Sequence, residues 1–231
     1  DVAEKLAAEP ERIAATQIRM IMSHLACASE PTSSTNLKQL ERFNHIRRCF
    51  PSLPASLSNS AGVFLGTHYH HDLARPGCAL YGINPFEDRP NPVEPVVKLS
   101  APILQLRTIA NEGETVGYGD ASPIKKGTRI ATIAIGYADG IDRILSNSPT
   151  LNGYIDDHAA PIIGRISMDL ITLDVTHLPQ GILREGNHVE LINETQDVNI
   201  IATAAHTIGY EILTNIKPRV RREYHGALPA N

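Results

Sequence analysis

The sequence predicts an α/β segment of parallel-sheet or barrel type followed by a small all-β domain. Three observations predict it. Up to residue 91, short apolar runs ending in small residues alternate with helical spacing. A stretch rich in Pro and charge, Asn84 to Asn91, then interrupts the pattern. From residue 92 onward, short β-type runs are separated by Gly, Pro and Asn. Residues 1–91 and 92–231 are the two expected domains.

Val2 to Ala15 places Ala3, Leu6, Ala7 and Ile13 at helical spacing with a break at Pro10. Ile18 to Leu25 is a short apolar run expected as a buried strand, and Asn36 to Cys49 is expected as a helix through Leu37, Leu40, Phe43, Ile46 and Cys49. Pro54 to Ser60 and Leu73 to Leu80 repeat the strand theme, so about three strands are expected before the boundary. Beyond it, strands are expected at Val96 to Leu106, Thr128 to Ile135, Ala160 to Ile163, Leu170 to Val175 and His188 to Ile192. One short helix, Ile200 to His206, interrupts them.

The 231 residues are 42% hydrophobic and 20% charged, an ordinary globular composition. No apolar run approaches the roughly 18–20 residues that a membrane span needs. A net charge of −4 without a basic stripe argues against nucleic-acid and anionic-membrane binding and leaves small-molecule or protein partners. Cys27, Cys49 and Cys78 show no C-x-x-C spacing, which fits a reducing, cytoplasmic compartment and suggests no zinc site. The first residue is Asp1 and no signal-peptide pattern follows, so the chain is expected to begin in mid-protein.

Gly136-Tyr137-Ala138-Asp139-Gly140 puts a phenol between small residues where a strand gives way to a turn. A tyrosine titrates near 10, so it acts as a base at neutral pH only where neighbours stabilise the phenolate. Arg75-Pro76-Gly77-Cys78 and Ser58-Asn59-Ser60-Ala61-Gly62 end successive strand segments and offer hydroxyl, amide and backbone N–H donors of the kind that hold phosphate in barrel loops. His68-Tyr69-His70-His71-Asp72 lacks metal-ligand spacing and is expected as a solvated loop. Arg219, Arg221 and Arg222 are expected on an exposed strand face, and Tyr118 in a tight turn with a packed ring. Asp139 is expected to be structural, with Asp169 left open between a catalytic and a turn role.

Asn59-Ser60-Ala61, Arg75-Pro76-Gly77 with Leu80-Tyr81-Gly82, Val116-Gly117-Tyr118-Gly119, the Tyr137 motif and Gly164-Arg165-Ile166-Ser167-Met168-Asp169 together resemble the pyridoxal-phosphate (PLP) alanine racemases, in order and spacing, from about His24 through Arg222. The resemblance implies the C-terminal part of a (β/α)8 TIM barrel that binds PLP, followed by a mainly β domain that caps a partner's barrel in a homodimer. It implies interconversion of L- and D-alanine through a PLP aldimine by a two-base mechanism, with D-alanine serving peptidoglycan.

On matching positions, the resemblance places Arg75 at the pyridine nitrogen, which a guanidinium leaves unprotonated, weakening the electron sink. It implies phosphate contacts from Ser60, Gly77 and the Cys78 backbone. His24 matches a histidine linking Arg75 with the catalytic tyrosine. Tyr137, donated across the dimer, would be one base, and Met168 would offer its N–H to the substrate carboxylate. Arg165 matches a substrate-corridor position with Glu30 as a pairing candidate.

Departures accompany the match. The family's PLP-lysine motif does not occur, and Lys5, Lys38, Lys98, Lys125, Lys126 and Lys217 stand in other contexts. The arginine of the family's early barrel half, which assists carboxylate binding, is absent as well. The chain alone is therefore expected to be inactive. Ser56 stands where some members have a histidine behind Arg75, and a phosphate-touching tyrosine of some members falls near Pro218. The alternatives are a broad-specificity amino-acid racemase and a non-catalytic β-domain remnant for dimerisation or ligand binding.

Overall fold

The computed structural model describes residues 2–226 except 87, 120–122 and 147. The chain divides into two compact units, Asp1–Glu94 and Pro95–Asn231. Glu87, within the expected linker, lies outside the described residues.

In the first unit the opening helical spacing forms α1 (Val2–Ala8), then a 3-10 turn at Pro10–Arg12. Proline is tolerated there because a first-turn N–H has no helical partner to lose. The apolar run at 18–25 yields only a two-residue strand, β1 (Ile21–Met22), parallel to β2 (Ala55–Ser56). Between them runs α2 (Ser34–Cys49), whose first turn is capped by the Ser33 hydroxyl accepting from the Thr35 N–H at 3.4 Å. Its inward stripe is Asn36, Leu40 and Phe43, while Leu37 is exposed. Leu40 and Phe43 join Leu25, Leu57, Ala61 and Tyr69 in the core, each large side chain contributing about 1.5–3 kcal/mol by leaving water.

The third strand expected over Leu73 to Leu80 does not form. Residues 72–75 run beside 55–58, with Asp72 and Leu73 both donating to the Ala55 carbonyl at 3.0 and 3.3 Å and Arg75 to the Ser58 carbonyl at 2.9 Å. Pro76 has no N–H with which to continue, and the chain turns instead into a 3-10 segment, Cys78–Tyr81. The histidine cluster is not a solvated loop either. Thr67–Tyr69 is a 3-10 turn with Tyr69 buried; His70 Nε2 lies 2.8 Å from the Val63 carbonyl, and the His71 ring meets Phe43 edge-on at 4.9 Å. Among the described residues no group of three or more His, Cys, Asp or Glu could hold a metal ion.

The second unit is a closed six-stranded antiparallel barrel in the order β3 (Leu99–Thr108), β4 (Arg129–Ile133), β7 (Ile171–Asp174), β6 (His158–Ile163), β5 (Asn152–Ile155) and β8 (His188–Ile192). β3 closes it, because its first half pairs with β8 and its second half with β4 across register shifts that bend the strand. Alternation along the strands sends Ile103, Ile133, Ile171, Leu173 and Val189 into the interior. The five expected strands form: β4 and β7 are trimmed at both ends, β3 is shifted to run on to Thr108, β6 begins two residues earlier at His158, and β8 has the expected bounds. β5 was not anticipated: it pairs with β6 around Asp156 and Asp157, both at positive φ (45° and 64°).

The expected helix begins earlier, as α4 (Val198–Ala204), capped by Asp197 accepting from the Asn199 and Ile200 N–H groups. A second helix, α5 (Gly209–Asn215), follows it. Residues 219–222 are not a strand. No helix among the described residues is long and apolar enough to cross a membrane.

Candidate active site

In the first unit the two donor-rich loops meet. α3 (Ser60–Val63) begins after Asn59, whose Oδ1 accepts from the Gly62 N–H at 2.9 Å. This turn fixes Ser60, whose Oγ accepts from the N–H groups of Gly77 at 2.8 Å and Ala79 at 3.3 Å. A hydroxyl that accepts twice keeps its own O–H to donate, and no acceptor for it is present among the described residues. Cys78 is buried at the start of the 3-10 segment, its carbonyl accepting from the Ile83 N–H at 3.1 Å.

Arg75 lies beside this cradle and is clamped from two sides. Nη1 donates to Ser56 Oγ at 2.5 Å and Nη2 to the Ser23 carbonyl at 2.6 Å. Ser56 is fully buried and spends its own proton on the Leu73 carbonyl at 2.7 Å, so toward Arg75 it can only accept. Nε–H is left without an acceptor among the described residues, a rigid donor suited to an unprotonated ring nitrogen. His24 is exposed, next to Ser23, with Nε2 3.2 Å from Asn59 Nδ2. Glu30 is exposed too, and its carbonyl accepts from Asn36 Nδ2 at 3.0 Å.

In the second unit two turns are stitched together. The 3-10 turn Tyr137–Asp139 follows β4, and the Ser167–Leu170 turn joins β6 to β7. The Tyr137 N–H donates to the Ser167 carbonyl at 3.0 Å, and the Ala138 N–H to the Met168 carbonyl at 2.9 Å. So close is the approach that a Cβ on Gly136 would stand 2.3 Å from the Ser167 oxygen. On the far side of the turn, Gly140 has φ 109°, and a Cβ there would stand 2.3 Å from the Asn215 carbonyl. Tyr137 and Met168 are 41% and 54% exposed. The N–H groups of Met168 and Asp169 have no acceptor among the described residues.

Asp139 is buried and accepts from the Gly136 N–H at 2.8 Å. Burial pushes its carboxyl up, but hydrogen bonds from Arg219 and from Gly136 outweigh it and hold the group below the usual range. Arg219 donates to Asp139 through Nε and Nη2 at 2.5 and 3.0 Å, and Nη2 also reaches Asp169 at 2.6 Å. Asp139, and to a lesser degree Asp169, push the guanidinium pKa up. Asp139, expected to be structural, is thus buried and fully engaged, whereas Arg219, expected on an exposed strand face, bridges two carboxylates. Arg221 and Arg222 are exposed, with Arg221 pairing with Glu223 at 2.9 Å and Arg222 donating to the Ile216 carbonyl at 2.9 Å. The Arg165 guanidinium packs over Gly119. The Tyr118 ring is not packed but 71% exposed.

The comparisons with known proteins agree on one family. The profile described as "Alanine racemase, C-terminal domain" matches residues 96–224, and that of "Alanine racemase, N-terminal domain" matches residues 1–85. A protein of Mesorhizobium japonicum named "Alanine racemase, catabolic" is 47% identical over 223 residues, 96% of this chain and 57% of the relative. An alanine racemase of Acidiphilium cryptum is also 47% identical, over 96% of this chain and 61% of the relative. The crystal structure of alanine racemase from Bartonella henselae with covalently bound pyridoxal phosphate superposes with TM-score 0.84 at 40% identity, covering 96% of this chain and 61% of that one. The chain thus spans about three fifths of the length of the relatives it matches.

Proposed function

Because this chain belongs to the alanine racemase family, we propose that it forms the cofactor-gripping and substrate-gripping part of a PLP enzyme that interconverts L- and D-alanine. It has the family's fold, the C-terminal part of a (β/α)8 barrel followed by a mainly β domain. The observation that carries the proposal is an exposed Tyr137 phenol on a turn bonded directly to the turn that carries the unused Met168 N–H.

The donor set of the first unit fits PLP. Ser60, whose hydroxyl is oriented by the Gly77 N–H and keeps its own proton to donate, forms the phosphate cradle with the backbone at Gly77 and Cys78, and the free Nε–H of the clamped Arg75 suits the ring nitrogen. When bound, PLP supplies the electron sink that acidifies the substrate Cα proton. Met168 holds the substrate carboxylate through its N–H. Tyr137 takes the Cα proton from L-alanine as one of two bases, and a lysine on the opposite face exchanges the proton on the D side. His24 relays between Arg75 and the phenol, and Arg165 lines the substrate corridor.

Tyr137 and Met168 serve the site of a homodimeric partner, and the setting is cytoplasmic, with D-alanine directed to peptidoglycan. None of the six lysines lies in the PLP-lysine motif, so that group comes from outside these 231 residues and the chain alone does not racemise. The test is Tyr137→Phe in an enzyme that includes the PLP lysine. Turnover should fall by about 10²–10⁴-fold; normal racemisation of both enantiomers would show that Tyr137 is not the base.

A further inference from the structure

We propose that Arg219 is a positioning residue that locks the base-bearing turn and the carboxylate-binding turn into one rigid unit. It rests on the roles proposed above for Tyr137 and Met168. Three features single it out. One guanidinium serves both turns: its Nε and Nη2 hold Asp139, two residues after Tyr137, and Nη2 also holds Asp169, one residue after Met168. The anchor on the Tyr137 side is buried, with Asp139 also fixing the Gly136 N–H at 2.8 Å, while its main-chain carbonyl accepts from the Lys217 N–H at 3.0 Å. The segment delivering Arg219 is therefore itself tied to the turn that Arg219 grips.

The third feature is geometric. Among the described residues the two turns are joined by a pair of backbone bonds, Tyr137 to Ser167 and Ala138 to Met168, that continue the β4–β7 pairing, and two bonds define a single axis. Arg219 adds a third point off that axis. A planar, always-charged fork can hold two carboxylates at a fixed angle, which a lysine cannot. The spacing between the Tyr137 phenol and the Met168 N–H must match the distance from the Cα proton to the carboxylate of one alanine, and a misplacement of about 1 Å costs on the order of 10²-fold. Arg219 touches neither substrate nor cofactor in this scheme; it acts through both turns.

The test compares Arg219→Met, Arg219→Lys and Asp169→Asn in an enzyme that includes the PLP lysine, beside Tyr137→Phe. Arg219→Met should raise KM for alanine and enlarge the primary isotope effect for 2-deuterated L-alanine, leaving that for D-alanine nearly unchanged, with kcat/KM down by about 10²-fold. Arg219→Lys should recover only part of this. Asp169→Asn, which keeps the buried Asp139 pair and so the fold, should shift KM in the same direction.

A role limited to stability would lower kcat and leave KM and both isotope effects untouched, and that result would overturn the proposal. If Tyr137→Phe is inactive while Arg219→Met retains the parent KM and isotope effects, the clamp fails and the assignment of the base stands. A readout independent of turnover uses the 231-residue chain: Arg219→Met should move the amide resonances of residues 137–139 and 167–169 together. Movement on one turn alone would overturn the clamp whatever the base proves to be.

Discussion

Arg75 donates to Ser56 at 2.5 Å, and the same hydroxyl donates onward to the Leu73 carbonyl at 2.7 Å. The direction of every proton in this chain of bonds is set, since a guanidinium only donates and a carbonyl only accepts. Ser56→Ala should therefore strand one group at each end. Ser56 is fully buried, so the loss should be about 1–3 kcal/mol, read as a lower urea midpoint by circular dichroism. An unchanged midpoint would show that water replaces the hydroxyl.

Gly136→Ala should destabilise the second unit. The new methyl would stand 2.3 Å from the Ser167 oxygen and 2.5 Å from the Met168 oxygen, both backbone atoms that cannot swing aside. The turns must part, at about 1–3 kcal/mol as for other overpacked sites. A melting temperature equal to or above that of the parent would contradict the tight approach of the two turns.

The Asp139–Arg219 pair gives the second unit an acid limit. The carboxyl is held below its ordinary value, so the folded state binds this proton less readily than the unfolded chain, whose Asp titrates near pH 3.9. The stabilisation is complete above that pH and is lost as pH falls through the lower folded value. Between pH 5 and 3 the unfolding midpoint should drop less in Asp139→Asn than in the parent. Parallel curves for the two proteins would refute the linkage.

Asp157→Gly should stabilise. Asp157 sits in the two-residue turn between β5 and β6 at φ 64°, a conformation that glycine adopts without the side-chain penalty. A gain of about 0.5–1 kcal/mol is expected, measured as a raised urea midpoint. A loss would mean that the Asp157 side chain supports the turn.

Local signals were read well and distant ones were not. Periodicity locates α2, β3, β4, β7 and β8, and the two donor-rich loop motifs are the ones that meet where the Gly77 N–H donates to Ser60. The third strand of the first unit was misjudged because apolar content at Leu73 to Leu80 outweighed Pro76, which ends the pairing. β5 escaped because its turn uses Asp-Asp in place of the familiar Asn-Gly. α5 has no capping side chain to announce it. Arg219 pairs with residues 80 and 50 positions away, and a bond across that span leaves no mark on neighbouring residues. Its flanking arginines disguised it as one of a surface run.

The closed order of the six strands has a practical corollary for anyone handling the purified chain. A sheet without ends offers no template to a foreign strand, so the second unit should resist self-association through its ladders. The first unit differs. Its bonds to β2 leave from Ile21 and Ser23, which turns the Met22 N–H outward on a strand paired on one side only among the described residues. Precipitation on concentration should therefore start at Ile21–Met22, where the Met22 side chain is 64% exposed, and a lysine placed at that position is the change that should keep the chain in solution.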